Sequence, residues 1–292
     1  MKHYYAKVLW FGEYAVIKGA PALAAPLPDY YGTWQLGGDT EQQRDLPAFA
    51  KFLREQTNLA ISYDRLHADL QRGLFFQSNI PVGYGLGSSG ALCAGLYHQY
   101  GLDHFTDEPR LSAQAVRLRE VFSRMEGFFH GSSSGTDPLI SFLDQPVVIH
   151  GEGRIESVAS QFPPTFGPLH FFLVDTATPR QTGPLVQHFL ERCADAAFAK
   201  KLEQELVPST EQAIQAFLEQ DWEACFTAFG QISAFQLDNL PRLIPQRWQE
   251  LWRAALRSDH LRLKLCGAGG GGFLLGVTRE VETARKLGRV LL

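Results

Sequence analysis

From Asn79 to Leu92 the chain reads N-I-P-V-G-Y-G-L-G-S-S-G-A-L. Gly83, Gly85 and Gly87, spaced by Tyr84 and Leu86, lead into Ser88 and Ser89, and an apolar segment from Ala91 to Tyr97 follows toward Gly101. Glycines at this density admit positive φ angles that other residues avoid. The serines stand where a helix N-cap belongs. A glycine-rich turn entering a helix points backbone N–H groups and the positive end of the helix dipole at one spot, which suits a phosphate. The two hydroxyls could take phosphate oxygens or a metal. A strand-to-helix turn without any ligand accounts for the glycines equally well, so the rest of the chain must separate the two readings.

Other side chains add to the inventory. Lys7 interrupts an apolar run from Tyr4 to Trp10, so it faces solvent, the commoner case, or a cleft. Glu126 comes at the end of a helical pattern, where a carboxylate opposes the dipole; it is either solvated or set against a metal or a base. Residues 128–138, F-F-H-G-S-S-S-G-T-D-P, put His130 and Asp137 on a polar loop. Function concentrates on such loops, although an aspartate capping the next helix is the commoner case. A second glycine loop, C-G-A-G-G-G-G, begins at Cys266. Phosphate chemistry with Mg²⁺ needs this set: backbone donors for phosphate, hard oxygen ligands for metal, a carboxylate for the acceptor hydroxyl and a cation for developing charge. No G-x-x-x-x-G-K-[ST] occurs, H-R-D and D-F-G are missing, and the glycine spacing is wrong for a dinucleotide fold. Glu126, His130 and Asp137 match no zinc spacing.

The elements that must position these residues follow from hydrophobic patterning. Strands are expected at Tyr4–Trp10, Tyr30–Leu36, Leu74–Asn79, Val147–His150, Ile155–Val158, Leu169–Asp175, Leu261–Leu265 and Phe273–Val277. Gly19 to Leu27 is small and turn-prone, and Gly37 to Asp45 reads as a loop. Helices are expected over 47–58, over 106–125 and from Val281, with mostly helical patterns up to Leu256. In the second of these, Leu111, Ala115, Leu118, Phe122 and Met125 recur on one face behind a Thr106-Asp107-Glu108-Pro109 start. The stretch Q-F-P-P-T-F-G-P is the best linker candidate. This divides the chain into 1–160 and 168–292, an α+β pattern in which two strands flank the second glycine run.

Composition bounds the alternatives. The 292 residues carry 45% hydrophobic and 20% charged positions with a net charge of −4, and no Lys/Arg-rich run appears. That excludes a general attraction to nucleic acid or acidic membranes. Four scattered cysteines without a C-x-x-C pair argue against zinc and a disulfide framework. No apolar run approaches a membrane span, and no secretory leader pattern opens the chain, so a cytoplasmic protein is expected.

The motifs together resemble the GHMP superfamily of small-molecule kinases, and within it the mevalonate kinase family. A-K-V-L-W-F-G-E-Y-A-V-I-K-G-A-P-A-L-A is similar to the family's opening motif, P-V-G-Y-G-L-G-S-S-G-A to its ATP phosphate loop, and K-L-C-G-A-G-G-G-G-F to its third motif. E-G-F-F-H-G-S-S-S-G-T-D is similar to E-x-x-x-H-G-x-x-S-G-x-D, and V-D-T-A-T-P-R-Q-T lies between. The resemblance spans nearly the whole chain. It implies two α+β domains, the N-terminal one ribosomal-protein-S5-domain-2-like and the C-terminal one ferredoxin-like, with ATP and substrate in the cleft. It implies Asp137 as the base with Lys7 beside it, and Ser89 and Glu126 as Mg²⁺ ligands. Gly83, Gly85, Leu86, Gly87, Ser88 and Ser89 would hold the ATP phosphates. Glu13, Tyr14, Arg180, Thr182, Gly269 and Gly270 would lie on the substrate side.

The implied reaction is ATP-dependent phosphorylation of mevalonate to 5-phosphomevalonate. Departures bear on the acceptor. Tyr14 stands where the family's G-E-H has a histidine, and G-E-Y with G-L-G-S-S-G-A is also similar to phosphomevalonate kinase. A doubly charged acceptor would call for more basic residues than Lys7, Lys18 and Arg180, which favours mevalonate. Another acceptor (phosphomevalonate, a sugar, homoserine) and a non-catalytic binding module are the alternatives. Neither nucleic acid nor membrane is expected as a partner, and a homodimer is compatible with the chain.

Overall fold

The computed structural model describes residues 2–56, 59–103, 111–131, 133–180 and 182–291. Two antiparallel sheets organise them. The first is five-stranded, with β1 (Tyr4–Phe11), β2 (Ala22–Gln35), β4 (Val147–Ile149) and β5 (Ile155–Ser157) in that spatial order and β3 (Phe75–Ser78) also paired to β2. The second is four-stranded, in the order β7 (Leu261–Leu265), β8 (Phe273–Thr278), β6 (His170–Asp175), β9 (Arg289–Val290). Helices α1 (Thr40–Gln43), α2 (Leu46–Glu55), α3 (Tyr63–Gln71), α4 (Ser88–Tyr100), α5 (Leu111–His130) and α6 (Thr136–Leu143) accompany the first sheet. The second is accompanied by α7 (Thr182–Arg192), α8 (Ala196–Lys201), α9 (Val207–Leu218), α10 (Trp222–Asn239), α11 (Gln246–Arg257) and α12 (Val281–Leu287). Among the described residues no helix is long and apolar enough to cross a membrane.

The turn-prone stretch 19–27 is a correction: its residues from Ala22 belong to the 14-residue strand β2. Prolines obscured it, because proline donates no ladder hydrogen bond. The sheet accommodates Pro28 through a bulge, since Tyr5 pairs with Tyr31 but Ala6 pairs with Leu27, while Pro26 stays in register opposite Lys7. Buried Ala22, Ala24 and Ala25 keep this part of the sheet thin, and α4 and α6 pack on β1 and β2. The expected loop 37–45 holds the short helix α1, closed by an Asp39–Gln42 capping box. The Thr106–Pro109 helix start lies outside the described residues.

The proline-bearing stretch between the sheets is not a free linker. Phe162 and Phe166 join Trp10, Phe171 and Phe217 in one aromatic cluster, with ring centroids of Trp10 and Phe217 5.0 Å apart. Phe217 sits on α9, which touches both β1 and α10. Aromatic burial at this density makes the two halves one packed body.

Candidate active site

The phosphate loop is built as its glycines demand. Gly83, Gly85 and Gly87 have φ of 79°, 77° and 77°. The helix N-cap is Gly87, not a serine, and no side chain caps α4, so its first N–H groups are left to an incoming anion. β1, an edge strand, turns its outward Lys7 N–H to the Leu86 carbonyl at 3.0 Å, tying the loop to the sheet. Leu86 itself is fully buried.

A second helix start meets the first. α6 begins after Gly135, at φ 68°, again without a side-chain cap, and carries Asp137 in its first turn. Asp137 is therefore not the cap of this helix. Its Oδ1 lies 3.1 Å from Lys7 Nζ, with the lysine side chain 10% and the aspartate 35% exposed. The base candidate is open to the cleft while its cation is held inside. A methyl group on Gly87 would lie 3.4 Å from both Asp137 Oδ2 and Lys7 Cγ, so the pair adjoins the loop. Gly90 makes the approach feasible: a Cβ there would lie 2.8 Å from Pro138 N and 2.9 Å from Asp137 C, both backbone atoms that cannot swing away. Gly90→Ala is expected to push α6 off α4 and lower kcat about 10²-fold, the scale of a 1 Å misplacement. Steady-state kinetics of a variant that keeps its circular dichroism spectrum checks this.

Glu126 is buried one turn inside α5, which runs on to His130 instead of ending at Met125. Its Oε1 accepts from Ser89 Oγ at 3.0 Å and its Oε2 from Ser133 Oγ at 2.5 Å; Ser89 Oγ also bonds His130 Nε2 at 3.0 Å. Burial, and then the Asp137 charge, push the Glu126 carboxyl up to about 7 against the pull of Ser133, Ser89 and Lys7. A buried acid so disfavoured in its ionised form beside a hydroxyl suits a hard divalent cation. Among the described residues no three His, Cys, Asp or Glu side chains gather as a metal cage.

The C-terminal half closes the cleft. Arg180 N–H donates to Gly83 O at 3.0 Å, and its guanidinium occupies the space over both glycine loops: a Cβ on Gly85 would lie 1.9 Å and one on Gly267 2.8 Å from its Nη2. Its Nε is buried without a hydrogen-bond partner, and burial lowers its pKa. Nη1 reaches Thr182 Oγ1 at 3.4 Å at the exposed start of α7. Tyr14, at the strained φ of 64°, donates its hydroxyl to Ala268 O at 2.5 Å and packs its ring 4.4 Å from Phe189. Gly270 N–H is taken by Leu243 O, and Gly269 packs against that same carbonyl.

Lys7, Asp137, the three loop glycines, Ser89, Glu126 and Arg180 are thus brought together, with Ser88 opening α4 beside them. Glu13 is paired elsewhere: its carboxylate is buried against Lys264, which also donates to Leu265 O at 2.9 Å. Gly90, Ser133 and Lys264 escaped the sequence reading. A glycine in the first turn of a helix was the one available signal, since glycine is disfavoured inside helices.

Residues 48–151 match the family model for the GHMP kinases N terminal domain. A mevalonate kinase of Pyrococcus abyssi is 24% identical over 317 positions, covering 97% of this chain and 90% of that protein. Among solved structures, L. major mevalonate kinase in complex with R-mevalonate aligns with a TM-score of 0.68 at 17% identity, over 98% of this chain and 90% of that one. Streptococcus pneumoniae phosphomevalonate kinase in complex with phosphomevalonate and AMPPNP gives 0.67 at 15% identity, over 98% and 94% of the two chains. The matched domain contains the phosphate loop, Glu126 and Asp137, and the fold is shared over almost the entire length. The chain thus carries a segment that matches the GHMP kinases N terminal domain and is similar to mevalonate kinases.

Proposed function

We propose that this protein phosphorylates the primary hydroxyl of mevalonate with ATP, giving 5-phosphomevalonate and ADP, in an isoprenoid-precursor role in the cytoplasm. The observation that carries the reading is the Lys7–Asp137 pair at 3.1 Å beside Gly87, between two uncapped helix starts. The uncapped N–H groups of α4 receive the phosphates. Ser89 and Glu126 would hold Mg²⁺, which would neutralise phosphate charge when bound. Asp137 accepts the hydroxyl proton as the acceptor oxygen bonds to the γ-phosphorus and the bridging P–O bond breaks toward ADP. Lys7 keeps Asp137 ionised and offsets the forming alkoxide. Arg180, fixed over both glycine loops, would receive a carboxylate. The division into 1–160 and 168–292 belongs to the same reading, with the acceptor between the halves.

Acceptor choice rests on charge. Among the described residues Lys7 is paired with Asp137 and Arg180 lies over both glycine loops, while Lys264 is buried on Glu13. The Arg180 guanidinium suits an acceptor with one carboxylate better than one that also bears phosphate. Tyr14 spends its hydroxyl on Ala268 and so closes the loop instead of presenting a donor. The near-equal likeness to a phosphomevalonate kinase keeps that acceptor as the second reading. An ADP-release assay over mevalonate, phosphomevalonate, galactose and homoserine separates them. Mevalonate is expected to exceed the others in kcat/KM by ~10⁴-fold, the scale on which unpaired polar groups in a site discriminate.

A further inference from the structure

Ser133 falls at an unspecified position of the E-x-x-x-H-G-x-x-S-G-x-D pattern, so no family role comes with it. In the fold it has an unusual position. Its hydroxyl donates to Glu126 Oε2 at 2.5 Å and accepts from Gly135 N–H at 3.1 Å, and its carbonyl accepts from Ser123 Oγ at 2.5 Å. Glu126 and Ser123 belong to α5, whereas Gly135 is the N-cap of α6, the helix of Asp137. Gly135 is itself seated on the α5 backbone, where a Cβ would lie 2.0 Å from Arg119 O. One hydroxyl therefore joins the two helices that carry the two carboxylates.

The other end of the carboxylate is shared differently. Ser89 has one proton and two lone pairs. Donating to Glu126 Oε1 at 3.0 Å and meeting His130 Nε2 at 3.0 Å, it keeps one lone pair for a further partner when the imidazole is the donor. This arrangement holds only while Glu126 stays rotated with Oε1 on Ser89. With Ser133 occupying Oε2, rotation would break a bond at each end.

We propose that Ser133 is a positioning residue for metal binding: it locks Glu126 to the start of α6, so that the Glu126–Ser89 pair and Asp137 keep a fixed relation. The inference rests on the Mg²⁺·nucleotide reading above. Partners that orient metal ligands typically contribute 10–100-fold to metal affinity.

The test uses the full chain saturated with ADP, titrated with Mn²⁺ and followed by the electron paramagnetic resonance signal of free Mn²⁺. Ser133→Ala should weaken Mn²⁺ binding about 10–100-fold, with melting temperature and affinity for metal-free ADP held, and Ser133→Thr should restore it. Ser133→Val, equal to threonine in shape without the hydroxyl, should behave as the alanine variant and serves if alanine perturbs the loop. Wild-type Mn²⁺ affinity in both Ser133→Ala and Ser133→Val overturns the inference. So does a lowered melting temperature with unchanged Mn²⁺ affinity, which would mark a merely structural role. Failure of the wild-type protein to bind Mn²⁺ with ADP would instead overturn the underlying metal reading.

Discussion

Asp137→Asn is expected to lower kcat by about 10²–10⁴-fold, the range that a positioned general base supplies, while nucleotide affinity stays within about threefold. The asparagine keeps the shape of the first turn of α6 but cannot take a proton, and it leaves Lys7 without its 3.1 Å partner. Nucleotide binding should be spared because, in the proposed reading, the uncapped N–H groups at the start of α4 hold the phosphates and Asp137 does not. Single-turnover kinetics together with binding of a fluorescent nucleotide analogue reads both quantities. Near-normal turnover would remove Asp137 from the chemistry. A large loss of nucleotide affinity would mean that Asp137 acts by holding the loop.

The second large effect concerns stability. Lys264→Met leaves the Glu13 carboxyl buried without its cation, a change that typically destabilises by about 3–5 kcal/mol. Burial raises the Glu13 pKa above the usual carboxylate range, with Lys264 and the Gly267 backbone opposing that rise. Without the lysine the raised pKa rises further. The stability contribution of a raised carboxyl is fully present below its unfolded value and lost as pH climbs through its folded value. The variant should therefore lie nearer to wild type at pH 5 and fall behind it toward pH 8 in denaturant unfolding. Removing both charges in Glu13→Leu/Lys264→Met should regain most of the loss, because an apolar pair avoids the desolvation of two ions. A single variant within 1 kcal/mol of wild type across that range would show that the pair is not coupled. The pair joins the end of β1 to the strand that enters the second glycine loop, so the same variant reports how firmly the cleft is closed.

How legible this was depends on where each signal lay. The phosphate loop was legible because three positive-φ glycines are locally encoded and tolerate few substitutes. Helix α5 was legible by its apolar face but not by its end. The periodic residues stop at Met125, while Phe128 and Phe129 carry the helix onward by packing on Phe49 of α2 instead. That change of partner moved Glu126 from a helix end to a buried position. α3 was missed because Leu66 is its one fully buried residue, too little for a periodic signal. Lys264 could not be tied to Glu13 in advance: 251 positions separate them, and a lysine in a strand ordinarily reads as solvated. Residue types alone left Asp137 and Lys7 as a cap and an edge charge; the resemblance paired them, and the fold sets both against Gly87.

The central claim is the acceptor. ³¹P NMR of the protein with ATP, Mg²⁺ and mevalonate should show a new phosphomonoester resonance growing in step with ADP, and Asp137→Asn should show neither within the same period. Unchanged ATP in the presence of mevalonate, with rapid ADP formation when phosphomevalonate or a sugar is supplied, would contradict the account.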